Sequence, residues 1–171
     1  MGTRTRGFAN LITASGPSGL PAGLAVNTPA FEANLGTNQT VSNDTFTKLQ
    51  ANTEVFDSDN CYDNATNYRF TPTTAGKYFV YGYVRCQNST QNSIIDVAVA
   101  LRKNGSDVAQ TYDSTYNDGI QHDNTSFVYS IVSLNGSTDY VELFGNVYSN
   151  AGTGNFDADN SRFGAFKIIG A

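Results

Sequence analysis

From Pro29 onward the chain breaks into short runs with a period-two pattern of apolar and polar residues separated by turn residues, and no stretch repeats apolar side chains at the three-to-four-residue spacing of an amphipathic helix. PAFEANL (29–35), TFTKLQ (45–50) and TEVFD (53–57) read as short strands, followed by an Asx-rich turn, DSDNCYDNATN (57–67). YRFTP (68–72) and KYFVYGYVRC (77–86) read as two further strands joined through TTAG. SIIDVAVALRKNG (93–105) sets Ile95, Val97, Val99 and Leu101 against Asp96, Ala98, Ala100 and Arg102, which predicts one buried side and one smaller, more exposed side. SFVYSIVSL (126–134) and DYVELFGNVY (139–148) read as a pair around NGST, and SRFGAFKIIGA (161–171) as one more strand. Eight to ten short strands with regular turn signals predict a β-sandwich, of which the jelly roll is a common form.

Parity within these strands gives the first functional clue. Tyr78, Val80, Gly82, Val84 and Cys86 share one face of the 77–86 strand, while Phe79, Tyr81, Tyr83 and Arg85 share the other. Likewise Val128, Val132 and Leu134 oppose Phe127, Tyr129 and Ile131, and GAFKIIGA is apolar on both sides. A sandwich sheet needs one inward face, so aromatic second faces on three strands make a patch larger than a monomer usually carries. The pattern points to an interface between subunits, with Phe79, Tyr81, Tyr83, Phe127, Tyr129 and Phe166 as its candidate residues. A solvent face of surface tyrosines is the alternative.

The length, 171 residues, suits one domain with a core plus an arm. The Gly- and Pro-rich GPSGLPAG lacks a glycine triplet repeat, so residues 1–28 read as an extended N-terminal arm and 29–171 as the domain. The net charge is −5, and Arg4 and Arg6 are the only charged side chains before Glu32, which leaves the arm at +2 and the head at −7. That balance argues against nucleic acid, whose binding needs clustered Lys and Arg. A basic arm on an acidic head suits docking on an acidic partner through Arg4, Arg6 and Phe8. Two incidental arginines on a solubilising terminus account for it equally well. No apolar run approaches the length of a membrane span, and the first residues hold too few apolar side chains for a signal-peptide core, so the expectation is no membrane insertion and assembly inside a cell.

Catalytic chemistry finds little purchase. His122 is the one histidine, in the polar loop NDGIQHDN, and no nucleophile-elbow pattern accompanies it. Asp57, Asp59 and Asp63 cluster in one turn, and Asp157 and Asp159 repeat the acidic spacing, so Ca²⁺ is the one cofactor worth considering; Asx residues are equally at home in turns for backbone reasons. Cys61 and Cys86 read as a reduced, half-buried pair, with a disulfide as the other possibility.

Together these residues resemble the globular heads of the complement C1q and tumour necrosis factor-like superfamily. The likeness starts at Pro29-Ala30-Phe31 with Ala33 and continues through Tyr62-Asp63, Thr66, Phe70, Pro72, Gly76, Tyr78 and Phe79. It resumes at Leu101, Lys103, Asn104 and Gly105, at Leu134, Asp139, Val141 and Leu143, and at Ser161, Phe163, Gly164 and Phe166. Asn67 departs from the family's turn glycine, and FGAF exchanges the order of glycine and small residue. The resemblance implies a ten-stranded jelly roll assembling as a homotrimer, one sheet of each protomer facing the threefold axis. Chains of this kind, with a short arm and an Asn-, Thr- and Tyr-rich head, look like virion surface components. The expectation is a phage structural protein at the virion surface, assembled in the host cytoplasm. Its most direct form is a capsid decoration or cement protein docked by its arm on a capsid or tail protein, since an arm of this length spans at most about 100 Å and makes no fibre shaft. A fibre tip that binds a cell-surface glycan or protein, and a free trimeric interaction domain, are the alternatives.

Overall fold

The computed structural model describes residues 27–114, 121–158 and 160–169, so the proposed arm contacts Arg4, Arg6 and Phe8 lie outside the described residues, as does Asp159. The first strands are β1 (Ala30–Asn34), β2 (Gln39–Val41), β3 (Thr47–Lys48), β4 (Thr53–Asp57), β5 (Tyr62–Asp63) and β6 (Arg69–Phe70). The long strands β7 (Gly76–Asn88), β8 (Ile94–Lys103), β9 (Ser106–Ser114), β10 (Asp123–Leu134) and β11 (Val141–Ser149) follow, then β12 (Gly154–Phe156) and β13 (Arg162–Lys167). Three of these segments, β3, β5 and β6, are two-residue pairings, and the other ten strands carry the sandwich.

Two sheets form. In the seven-stranded sheet I, β7 pairs with β10 on one side and with β13 and β12 on the other; β13 continues to β1 and β4, and β12 to β2. Sheet II has six strands in the order β5-β6-β11-β8-β9, with β3 also paired to β11. The pairings are antiparallel. The architecture is an all-β jelly-roll sandwich.

The core lies where the inner faces meet. Phe31 of β1 stacks on Tyr62 at 4.4 Å and Phe70 at 4.7 Å between ring centroids, and Phe163 meets it edge-on at 5.0 Å. Val80, Val84 and Cys86 of β7 face Val97, Val99, Leu101, Leu143 and Val147 of sheet II across a fully buried layer. Gly82 belongs to that inner face because Leu143 fills its place: a Cβ there would sit 2.5 Å from a Leu143 methyl. The inward parity read from the sequence for β7 and β10 therefore holds.

Several local expectations change. YRFTP and KYFVYGYVRC are not a hairpin: β6 lies in sheet II and β7 in sheet I, so the TTAG connection crosses the sandwich. The NGST turn does the same between β10 and β11. There Asn135 Oδ1 accepts from the amides of Ser137, Thr138 and Asp139, which shapes an arch rather than a two-residue hairpin. β8 and β9 do form a hairpin, turned by Asn104 and Gly105, both at positive φ. β9 escapes sequence reading because an edge strand exposed along nearly its whole length has no alternation to show. The second face of β8 is also covered, contrary to expectation. Ala98 and Ala100 are buried opposite Asn146 and Phe144; the chain after β2 pairs along the edge of β11 away from β8, and its side chains reach this face through Asn146 to Asp44, Lys48 to Glu142 and Arg102 over the Phe46 ring.

Candidate subunit-interface face

The outer face of sheet I is laid out by register. β10, β7 and β13 run side by side with Phe127 opposite Tyr83 and Tyr83 opposite Arg162. In the next row Tyr129, Tyr81, Gly164, Glu32 and Phe56 follow one another across β10, β7, β13, β1 and β4. The third row is Ile131, Phe79, Phe166 and Ala30. All six candidate residues, Phe79, Tyr81, Tyr83, Phe127, Tyr129 and Phe166, thus share one surface. Tyr129 is 71% exposed, Ile131 61%, Phe127 60%, Phe56 48% and Phe166 37%.

The rings are already packed against one another. Phe79 lies 6.0 Å from Tyr81, 6.0 Å from Tyr129 and 5.4 Å from Phe166, and Tyr83 lies 5.2 Å from Phe127. Preordered rings lose little side-chain entropy on association, which suits an interface.

Polarity changes along this face. The Ile131–Phe79–Phe166 row is wholly apolar, whereas beyond Tyr83 the face ends at Arg85, whose guanidinium binds Asp123 at 2.5 Å and Asp157 at 3.0 Å. Those carboxylates, Asp123 foremost, raise the Arg85 pKa. In the middle row a charge interrupts the aromatics. Glu32 accepts from the Tyr81 hydroxyl at 2.7 Å through one oxygen and from Arg162 at 2.6 Å through the other. Burial, then the Glu32 carboxylate, raises the pKa of the Tyr81 phenol, and the bond to Glu32 raises that of Arg162. Gly164 makes the arrangement possible, since a Cβ there would collide with the hydroxyl end of the Tyr81 ring.

Glu32, Phe56, Ile131 and Arg162 were not among the sequence candidates. The period-two alternation of TEVFD marks Phe56 as facing away from Val55, but only the β1–β4 register shows which of the two joins the aromatic face.

The other candidate residues are placed as follows. Asp57 accepts from the amides of Asp59 and Tyr62, and Asp59 accepts from the Ser58 hydroxyl. Asp63 caps its turn through the amides of Ala65, Thr66 and Asn67 and the Asn67 side chain, and these bonds lower its pKa to about 2. These carboxylates act on local backbone as Asx turns do. Among the described residues no group of three or more His, Cys, Asp or Glu side chains is placed to hold a metal ion. His122 is exposed, and its carbonyl accepts from Asn88 N. Cys61 and Cys86 are buried, unbridged thiols; burial pushes Cys86 up to about 12.

No protein-family model matches the chain. No curated protein matches it in sequence either. Solved structures do match in shape. The Eiger TNF of S. frugiperda superposes with a TM-score of 0.58 at 15% identity, covering 85% of this chain and 96% of that one. The globular domain of zebrafish complement 1qA gives a TM-score of 0.57 at 13% identity, covering 83% of this chain and 98% of that one. The fold of this chain, two sheets closed over one core, is the C1q and TNF-like jelly roll.

Proposed function

We propose that this protein is a non-enzymatic, self-assembling head that forms a homotrimer through the outer face of sheet I. One observation carries the reading: a contiguous aromatic surface, built from β10, β7 and β13 and already packed ring on ring, stays exposed in the single chain. The C1q and TNF-like fold supports it, because the resemblance implies trimers in which one sheet faces the threefold axis. Burying such a patch between three copies removes it from water in a closed assembly.

In finer form, the head is a virion surface component, a phage capsid decoration protein assembled in the host cytoplasm, with residues 1–28 as its docking arm. The contrast between an arm at +2 and a head at −7 supports this form, because it gives the arm the charge to seek an acidic surface that the head itself would avoid.

Two measurements test the two levels. Light scattering of the purified chain should give about three times the 18.4 kDa chain mass; a monomer at micromolar concentration overturns the assembly reading. Deleting residues 2–28 should leave that trimer intact while abolishing rebinding to particles stripped of the protein. Unchanged rebinding removes the arm from the docking role, and binding to host-cell glycans in place of particles favours the fibre-tip alternative.

A further inference from the structure

The middle row of the aromatic face poses a physical problem. Hydrophobic contact is non-directional, so Phe79, Tyr83, Phe127, Tyr129, Ile131 and Phe166 alone would let copies associate in several registers. Within this field sits one ion pair, Glu32 with Arg162, the carboxylate side chain 20% and the guanidinium side chain 36% exposed. Both carboxylate oxygens are engaged inside the subunit, one by Arg162 and one by the Tyr81 hydroxyl. Sheet pairing holds the pair in place across β1, β13 and β7: Glu32 is opposite Gly164, and Gly164 is opposite Tyr81.

Resting on the proposed self-assembly, we infer that the Glu32–Arg162–Tyr81 cluster is a register key for association between copies of this chain. A neighbour that slides an aromatic ring over the pair strips its remaining water and gives it no polar partner, and the lost hydration of both charges opposes that alignment. A neighbour in the correct register meets the pair with polar groups of its own. The cluster therefore acts for the right alignment as well as against wrong ones, as a buried polar residue does when it sets the oligomeric state of a coiled coil. Its position off the centre of the patch, on the β1–β13 side, makes the face asymmetric. Aromatic side chains crowd the β7–β10 half, so one copy's half cannot be exchanged for the other in a closed ring.

The test uses the full-length chain and two kinds of variant, read by native mass spectrometry and light scattering over a concentration series, with circular dichroism to confirm folding. Glu32→Gln and Tyr81→Phe leave the guanidinium or the carboxylate under-partnered, and each should raise the concentration at which the trimer dissociates by tenfold or more. The double variant E32L/R162L replaces the charges with apolar groups of similar reach. It should associate at least as tightly as the parent while spreading over several stoichiometries, an outcome that a purely structural role for the ion pair does not produce. A folded double variant that stays a single, uniform trimer overturns the register key and leaves the trimer reading standing. If the double variant does not fold, Tyr81→Phe decides the matter, because it deletes only one hydroxyl: a trimer as tight as the parent's then overturns the key. A parent chain that is itself monomeric overturns the assembly reading and the key with it.

Discussion

Replacing Phe127 and Ile131 together by serine separates an interface from a solvent face with opposite signs. Both side chains stand on β10 with about three-fifths of their surface exposed in the single head, 60% and 61%. Fully burying a side chain of this size contributes about 1.5–3 kcal/mol, so the exposed share makes about 1–2 kcal/mol per residue available on association. Two residues give about 2–4 kcal/mol per head and three heads about 6–12 kcal/mol per closed trimer, an upper range because the contact need not cover every atom. At about 1.4 kcal/mol per factor of ten, the trimer formation constant should fall by as much as about four to nine decades. The inner face of β10, with Val128, Val132 and Leu134 buried, is untouched, so the monomer should melt within a few degrees of the parent head. Sedimentation equilibrium over a dilution series reads the first effect and thermal melting the second. If the double variant keeps the parent's association constant while remaining folded, the aromatic face is a solvent surface and the reasoning from its exposure fails.

Three further outcomes follow from single sites. Gly82→Ala should cost about 1–3 kcal/mol in urea unfolding, because the added methyl meets a fully buried Leu143 at 2.5 Å; an unchanged midpoint would show that the two sheets can part there. Asp63 has a folded-state pKa lowered to about 2 by its four turn bonds, below the ordinary carboxylate value. Its contribution is present above the unfolded pKa, near 4, and is lost as pH falls through about 2. The stability gap between the parent and Asp63→Ala should accordingly be larger at neutral pH than at pH near 2, and a gap independent of pH contradicts the turn-capping role. Cys86, whose thiol is pushed up to about 12 by burial, should resist iodoacetamide in the native protein and react on unfolding, as followed by intact mass; rapid native labelling would contradict its burial.

The aromatic face was legible in the sequence because period-two parity survives wherever a strand is long. Residues 77–86 lie inside the thirteen-residue β7, and every second side chain keeps its side along it. Connectivity was not legible. TTAG and NGST both read as local turns, and whether a turn stays within a sheet or crosses the sandwich is decided by packing far from the turn itself. β9 was missed because neither of its sides is buried enough to impose alternation, although Asn104-Gly105 is a hairpin signal that points to a return strand. Ala98 and Ala100 read as exposed because small residues at alternate positions carry little hydrophobic signal. They are buried all the same, between the larger side chains of β11 and β9 that flank them in the sheet. Glu32, Phe56 and Arg162 needed the register of three strands, which no local pattern contains.

The placement of β13 between β1 and β7 governs when the face comes into being during synthesis. Glu32 and Arg162 touch across 130 residues of chain, and Phe166 fills the gap between Phe79 and Ala30. Until that segment clears the ribosome, sheet I is split down the middle, and the aromatic rows exist only as two separate halves. Until then a nascent chain cannot present the completed surface to a neighbour being made on the same message. On the proposed assembly, association waits until each head has closed, which keeps half-built subunits on a polysome from joining through an unfinished face.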